Sequence, residues 1–387
     1  MKDLRARLER ISASQPAPPA RAAVVPPADC FVRETAIPLE SLADPRALRS
    51  RALSRIDAGF AGRCGKLPPL ERLLFLDTET TGLGMGAGTV AFLIGLGWVE
   101  DGVFLVRQLL MRDYSEEPLL LQAFAGLLPR FEALVTYNGR TFDVPLLESR
   151  LIMHRMREAG VDLPHLDLLY PTRRVWRLRL RDCTLSNIER RVLDCGREED
   201  LPGAEAPERF FAYLRTGDFA LLEDVLRHNL RDVQTLGRLL ARLASVFEQP
   251  EQQAFPEDVF SVGRALTRAG EREAGRACFR AAGRRRASAV AAQAHALLAH
   301  SHRRDRQYSE AEMVYQEMID RGEGGVTPHV ELAKIAEHRR RDPAAALAQT
   351  EAALERLALR ERLGGASDEE LRSALHLRRA RLLRKTK

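Results

Sequence analysis

Apolar and polar positions change rhythm along the chain. From about residue 70, short apolar runs broken by glycines and polar turns, RLLFLD, TVAFLIGLGWVE, VFLVRQLLM and ALVTYN, predict strands of one sheet. Between and after them the period lengthens to that of a helix, in EEPLLLQAFAGLL, VPLLESRLIMHRM, TLSNIERRVL and the long DFALLEDVLRHNLRDVQTLGRLLARLASVF. Three strands in succession, then alternating helices and a strand, predict a mixed α/β sheet with helices packed on it. Beyond about residue 252 strand signals stop and alanine-rich helical stretches run to the C-terminus. Ala274, Ala311 and Ala346 each follow a short turn, at intervals near the period of roughly 34 residues of tetratricopeptide helix pairs; an irregular helical bundle is the plainer alternative. At the other end, ASQPAPPARAAVVPPADC suits an extended linker. The expected division is an N-terminal extension with a Pro/Ala-rich linker over 1–69, an α/β domain over 70–248 and an all-α, tetratricopeptide-like domain over 252–387.

Length and composition agree with a folded chain of more than one part. At 387 residues it exceeds the usual size of a single core, and 45% hydrophobic with 29% charged residues is the balance of a water-soluble protein. The longest apolar run falls well short of the roughly 18 residues of a membrane span, and MKDLRARLER lacks an apolar signal-peptide core, so a cytoplasmic protein without membrane contact is expected. The five cysteines form no CxxC pair and read as reduced thiols, mostly buried. A formal charge of +6 admits a polyanionic partner without requiring one.

Against this background three segments place acids where they are costly. In LLFLDTETTGL the residues Leu73 to Leu76 are apolar on both faces, as in a doubly buried strand. Alternation then sends Asp77 and Glu79 to one face and Thr78 to the other, and two adjacent carboxylates there need protonation, basic neighbours or a cation. In LVTYNGRTFDVPLLESR, Asn138 and Gly139 mark a turn and Asp143 precedes a helical period, which makes it a candidate helix N-cap that can still offer one oxygen to a metal. On the long helix, steps of about 100° gather Leu222, Val225, Val233, Leu236, Leu240 and Leu243 into one apolar sector, with Arg227, Arg231, Arg238 and Arg242 opposite. Asp232 falls inside the apolar sector and His228 at its edge, one turn back. A buried arginine or a metal ion could neutralise Asp232. One joint solution brings Asp77, Glu79, Asp143 and Asp232 onto divalent cations, and an all-oxygen ligand set suits Mg²⁺ or Mn²⁺, two of which can serve phosphodiester hydrolysis.

These segments, FLDTETTGL, YNGRTFDVPLL and HNLRD, taken in order, resemble the three motifs of the DEDD 3′–5′ exonucleases of the ribonuclease H-like superfamily, and within it the YprB-type proteins, over about residues 70 to 245. The resemblance implies a ribonuclease H-like fold and removal of mononucleotides from single-stranded or frayed 3′ ends of DNA or RNA. It also implies that Asp77 bridges two ions, that Glu79 and Asp232 complete one site, and that Asp143 holds the second ion through water. His228 would orient or deprotonate the attacking water. One departure stands out: the histidine-bearing exonuclease branch sets that residue five positions before the last acid, where this chain has Arg227, and the branch with four-residue spacing uses tyrosine. A nuclease-like nucleic-acid-binding module without catalysis, with a helical tail recruiting a protein partner, is the alternative function.

GLGMGAG is no dinucleotide loop, because acids intervene and a strand follows; a turn near the site is expected. Thr80 and Asn138 are candidate nucleic-acid contacts beside the first two motifs. In PTRRVWRLRLRD, Arg173, Arg174 and Arg177 could grip phosphates and Trp176 stack a base, or the stretch is an ordinary basic face. Asp167 is a strand-end acid or a support for the centre, and His154 and His165 are structural.

Overall fold

The computed structural model describes residues 30–48, 52–57, 60, 63–64, 68–82, 88–156, 161–196, 201–285 and 289–386. The linker expected before residue 30 and the body of the GLGMGAG turn, residues 83–87, lie outside the described residues.

Six strands form one sheet: β1 (Phe31–Pro38), β2 (Leu73–Thr80), β3 (Ala91–Glu100), β4 (Val103–Leu110), β5 (Ala133–Thr136) and β6 (His165–Asp167). Their order is β1-β4-β3-β2-β5-β6. β2, β3 and β4 make an antiparallel meander and β1 adds antiparallel to β4, whereas β5 and β6 extend the sheet parallel to β2. A parallel neighbour needs a long crossover. Helices α1 (Glu117–Leu127) and α2 (Asp143–Met153) lie on those crossovers, and α3 (Leu169–Leu180), α4 (Ala206–Thr216) and the long α5 (Ala220–Glu248) follow. The protein is thus a mixed α/β sheet flanked by helices, followed by an all-helical region.

Alternation along β2 explains the layering. Leu73 and Phe75 enter one core with Phe104, Val106 and the Val233, Leu236 and Leu240 stripe of α5; Leu74 and Leu76 enter the other with Leu120 and Phe124 of α1, Leu147 of α2 and Phe210 of α4. Residues 77 and 79 share the parity of the first set, so they face α5. The helix can come close because β3 carries glycine opposite: a Cβ on Gly97 would stand 2.6 Å from Val233 Cγ1, and one on Gly95 2.3 Å from Asn229 Oδ1. Neither contact leaves room for a side chain.

Residues expected in the N-terminal extension are partly sheet. β1 pairs with β4 from Phe31↔Leu110 to Pro38↔Val103, and the short helical turns after it bury Leu39, Leu42, Leu48, Leu53 and Ile56 in the core shared with α5. The strand escaped the sequence reading because Arg33 and Glu34 interrupt its apolar positions, as befits an edge strand. All five cysteines are free, but only Cys183 and Cys278 are fully buried.

The all-helical region runs through α6 (Pro256–Arg268), α7 (Arg272–Gly283), α8 (Ala291–Arg304), α9 (Tyr308–Asp320), α10 (Thr327–Ile335), α11 (Pro343–Arg362) and α12 (Glu369–Lys385), each packed against the next. Ala274, Ala311 and Ala346 fall near the start of α7, α9 and α11, the second helix of successive pairs, and Ala311 and Ala346 have no exposed surface. α6 docks on α3, where Arg179 pairs with the buried Asp258 at 2.9 Å and lies over the Phe255 ring. Part of the basic stretch thus joins the helical region to the sheet domain.

Candidate active site

Asp77 and Glu79 stand at the end of β2, opposite Gly95 and Leu93 of β3, and the pairing shifts register just after Glu79. The shift ends regular pairing where the acids need room for something other than a strand. From α5, the fully buried Asn229 donates its amide to Asp77 Oδ2 at 2.9 Å and accepts from Gln108 Nε2 of β4 at 3.0 Å; Gln108 also donates to the Leu226 carbonyl at 2.7 Å. Ionised Asp77 accepts only, so its partner atom must be the NH₂ of Asn229, and Gln108 holds that orientation. Thr78, turned to the other face, donates its hydroxyl to Asp143 Oδ1 at 2.5 Å.

Asp143 is the first residue of α2, with Phe142 in the capping position and no side-chain cap, so the N-cap reading is corrected: Thr78 engages the carboxylate instead. The preceding turn is shaped by Asp167 at the end of β6. Its carboxylate has no exposed surface and accepts from the backbone N–H groups of Asn138, Arg140 and Leu169 at 2.7, 3.1 and 3.1 Å. Asn138 adopts φ +66°, a conformation asparagine tolerates better than most residues. Asp167 therefore braces the loop between Asp143 and the sheet without entering the centre.

The α5 wheel places the last two residues. Its predicted apolar stripe is fully buried, while His228 and Asp232 share the face turned toward β2. His228 Nε2 lies 3.4 Å from Asp232 Oδ2 and 3.8 Å from Glu79 Oε1. The side chains of these three residues are only 10–14% exposed. Arg227 points outward and pairs with Asp224, as the wheel predicts, but Arg242 is half-buried and donates to Gln253 beside the helical region.

Asp77, Glu79, Asp143, His228 and Asp232 thus come together from β2, α2 and α5 and line one cleft of about 300 Å³, with Thr80 and Asn138 on its walls and Tyr137, Phe142, Leu146 and Pro207 supplying apolar surface. No lysine or arginine is among the described lining residues. Burial raises the Asp77 carboxyl well above the usual range, the charges of Asp232, Glu79 and Asp143 push it further, and only the Asn229 hydrogen bond opposes them. Burial likewise lifts Asp143 to about 6 against the hydrogen bond from Thr78. Acids held this way either keep protons or take a cation. The donor set fits a divalent ion, and Glu79, His228 and Asp232 each offer an atom within 4.8 Å of the others.

The predicted basic contacts lie elsewhere. Arg173, Arg174, Trp176 and Arg177 are on α3 and none lines the cleft. Trp176 is 1% exposed in the core, so the base-stacking role is corrected: its ring is buried and faces no ligand. Arg174 donates to the Ile56 carbonyl at 2.8 Å, while Arg173 and Arg177 are exposed. Sequence reasoning missed Asn229, Gln108 and Thr78. Gln108 as the polar residue on the face of β4 that otherwise carries Phe104 and Val106, and Gly95 and Gly97 at alternate positions in β3, were the available signals.

Residues 74–244 match the family model of the RNase_H superfamily. They form a ribonuclease H-like domain. The uncharacterized protein YprB of Bacillus subtilis (strain 168) is 38% identical over 165 residues, 42% of this chain and 40% of that protein. The chain therefore matches well under two thirds of that relative's length. Among solved structures, the family B DNA polymerase from the hyperthermophilic archaeon Pyrobaculum calidifontis overlaps 58% of this chain and 30% of its own, with a TM-score of 0.36 and 18% identity. Nucleases of the ribonuclease H-like superfamily generally use divalent metal ions, and the acidic group in the cleft is a candidate for holding them.

Proposed function

We propose that the protein is a metal-dependent 3′–5′ exonuclease that hydrolyses phosphodiester bonds of DNA or RNA. The observation that carries the reading is the convergence of Asp77, Glu79, Asp143 and Asp232, from three separate segments, in one cleft whose described lining has no lysine or arginine. Bound there, two Mg²⁺ or Mn²⁺ ions would stabilise charge on the phosphate and activate water. The protein's own part is to hold the four carboxylates in place: Asn229 fixes one oxygen of Asp77, and Thr78 fixes one oxygen of Asp143. Thr80 and Asn138, which line the same cleft, would contact the end of a single-stranded or frayed substrate. The 3′–5′ direction is taken from the resemblance of the three motifs to the DEDD exonucleases. The stacked helix pairs support a tetratricopeptide-like reading of the C-terminal region, and with it a protein partner there.

The test uses the purified full chain with Mn²⁺ or Mg²⁺ on single-stranded DNA and RNA oligonucleotides labelled at one end. A 3′ label should leave at once as a mononucleotide, while a 5′ label should remain on a ladder of shortening products. Equal behaviour of wild type and Asp77→Ala removes the catalytic reading and leaves a nucleic-acid-binding module.

A further inference from the structure

His228 departs from one exonuclease branch in position and from the other in residue type, and the structure supplies a physical reason. A residue five places before Asp232 points outward: Arg227 is exposed and pairs with Asp224 at 3.1 Å. Four places before, one helical turn brings the side chain back over Asp232. The two separations of His228 Nε2, 3.4 Å to Asp232 Oδ2 and 3.8 Å to Glu79 Oε1, exceed the 2.7–3.2 Å of a good hydrogen bond. They lie within reach of the spacing of donors around one cation. Two atoms each about 2.1 Å from an octahedral ion stand about 3.0 Å apart at a right angle and at most about 4.2 Å apart, so both separations can be bridged by one ion. One ligand atom from each of Glu79, His228 and Asp232 lies within 4.8 Å of the other two. Gly203 closes the far side, since a Cβ there would stand 3.4 Å from the same nitrogen.

We infer that His228 is a direct ligand, through Nε2, of the cation held by Glu79 and Asp232, and that this nitrogen gives the centre a preference for Mn²⁺ over Mg²⁺. The inference rests on the metal-dependent reading above. Imidazole is a borderline donor that favours first-row transition ions, whereas a set made only of carboxylates suits Mg²⁺ as well. A nitrogen whose lone pair is engaged on a metal cannot take a proton from water. His228 therefore holds and selects the ion and does not act as the base.

Mn²⁺ binding to the full chain, with Mg²⁺ as competitor, tests this without reference to activity. Loss of the free Mn²⁺ electron paramagnetic resonance signal gives affinities, and electron spin-echo envelope modulation detects a nitrogen bonded to bound Mn²⁺. The expected result is ¹⁴N modulation in wild type that is absent in His228→Gln and His228→Asn. Mn²⁺ affinity should fall about tenfold or more in both variants, with Mg²⁺ affinity changing less than about threefold. Circular dichroism of the metal-free variants confirms that each is folded. Bound Mn²⁺ without ¹⁴N modulation, or modulation that persists in both variants, overturns the inference while sparing the metal centre. Failure of wild type to bind either ion overturns the metal-dependent reading itself.

Discussion

Gly95→Ala should disturb the centre although residue 95 touches no substrate. The added Cβ would lie 2.3 Å from Asn229 Oδ1, 2.7 Å from Nδ2 and 2.8 Å from Cγ, so the amide must leave its place or α5 must lift from β3. Overpacking of this kind costs about 1–3 kcal/mol. If the amide moves, Asp77 Oδ2 loses its donor and Gln108 Nε2 loses one of its two acceptors. A hydrogen bond to a charged group contributes about 1.5–3 kcal/mol, so the total is roughly 3–5 kcal/mol, a large part of a typical folding stability. Asn229→Ala alone forfeits the hydrogen bonds but creates no clash. The double variant should therefore be little worse than Asn229→Ala, giving a coupling of about 3–5 kcal/mol between the two positions, nearly the whole effect of Gly95→Ala. Urea unfolding of the four metal-free proteins, followed by circular dichroism, measures this. Gly97→Ala is the control: its clash is with Val233 Cγ1, and Asn229→Ala should not relieve it. Additive effects at 95 and 229 would refute the claim that the glycine exists to seat the amide against Asp77.

Two further outcomes follow from groups outside the cleft. Burial holds the His165 imidazole, bonded to Thr136 at 2.8 Å, down to about 4 from its ordinary 6.5. The unfolded chain takes the proton first on acidification, so this contribution is fully present above about pH 6.5 and is lost as pH falls toward about 4; roughly 2–3 kcal/mol of acid sensitivity should disappear from the stability profile of His165→Gln. In the helical region Glu337, 2% exposed at its side chain, accepts from Arg381 at 3.0 and 2.8 Å and from Lys385 at 3.1 Å. Burial raises its pKa, but these hydrogen bonds outweigh it and hold the carboxyl at about 2. Because both basic partners are half-exposed, Glu337→Gln should cost only about 1–3 kcal/mol, read as faster hydrogen exchange across Glu369–Lys385 with the sheet unchanged.

What could be read from the chain alone depended on whether a property is periodic or needs a partner. β2 and β3 were visible because strands buried on both faces leave unbroken apolar runs, whereas β1 mixes charges into an edge and β6 has only three residues. Asp77 with Glu79, and His228 with Asp232, could be paired beforehand because strand alternation and helical turns fix which side chains share a face. Asp143 was placed one step wrong, since its orientation depends on Thr78, a residue 65 positions away. Trp176 was misread for the same reason: an arginine-rich helix with one indole looks the same whether that indole faces solvent or is buried in the core. His228 shows the limit most clearly. Its four-residue spacing from Asp232 was plain in HNLRD, but the spacing only says that imidazole and carboxylate face the same way. Whether that makes a base beside a metal site or a ligand within it depends on what stands opposite. Glu79, brought from β2 to 3.8 Å from the same nitrogen, completes a three-donor set, and that third donor favours the ligand.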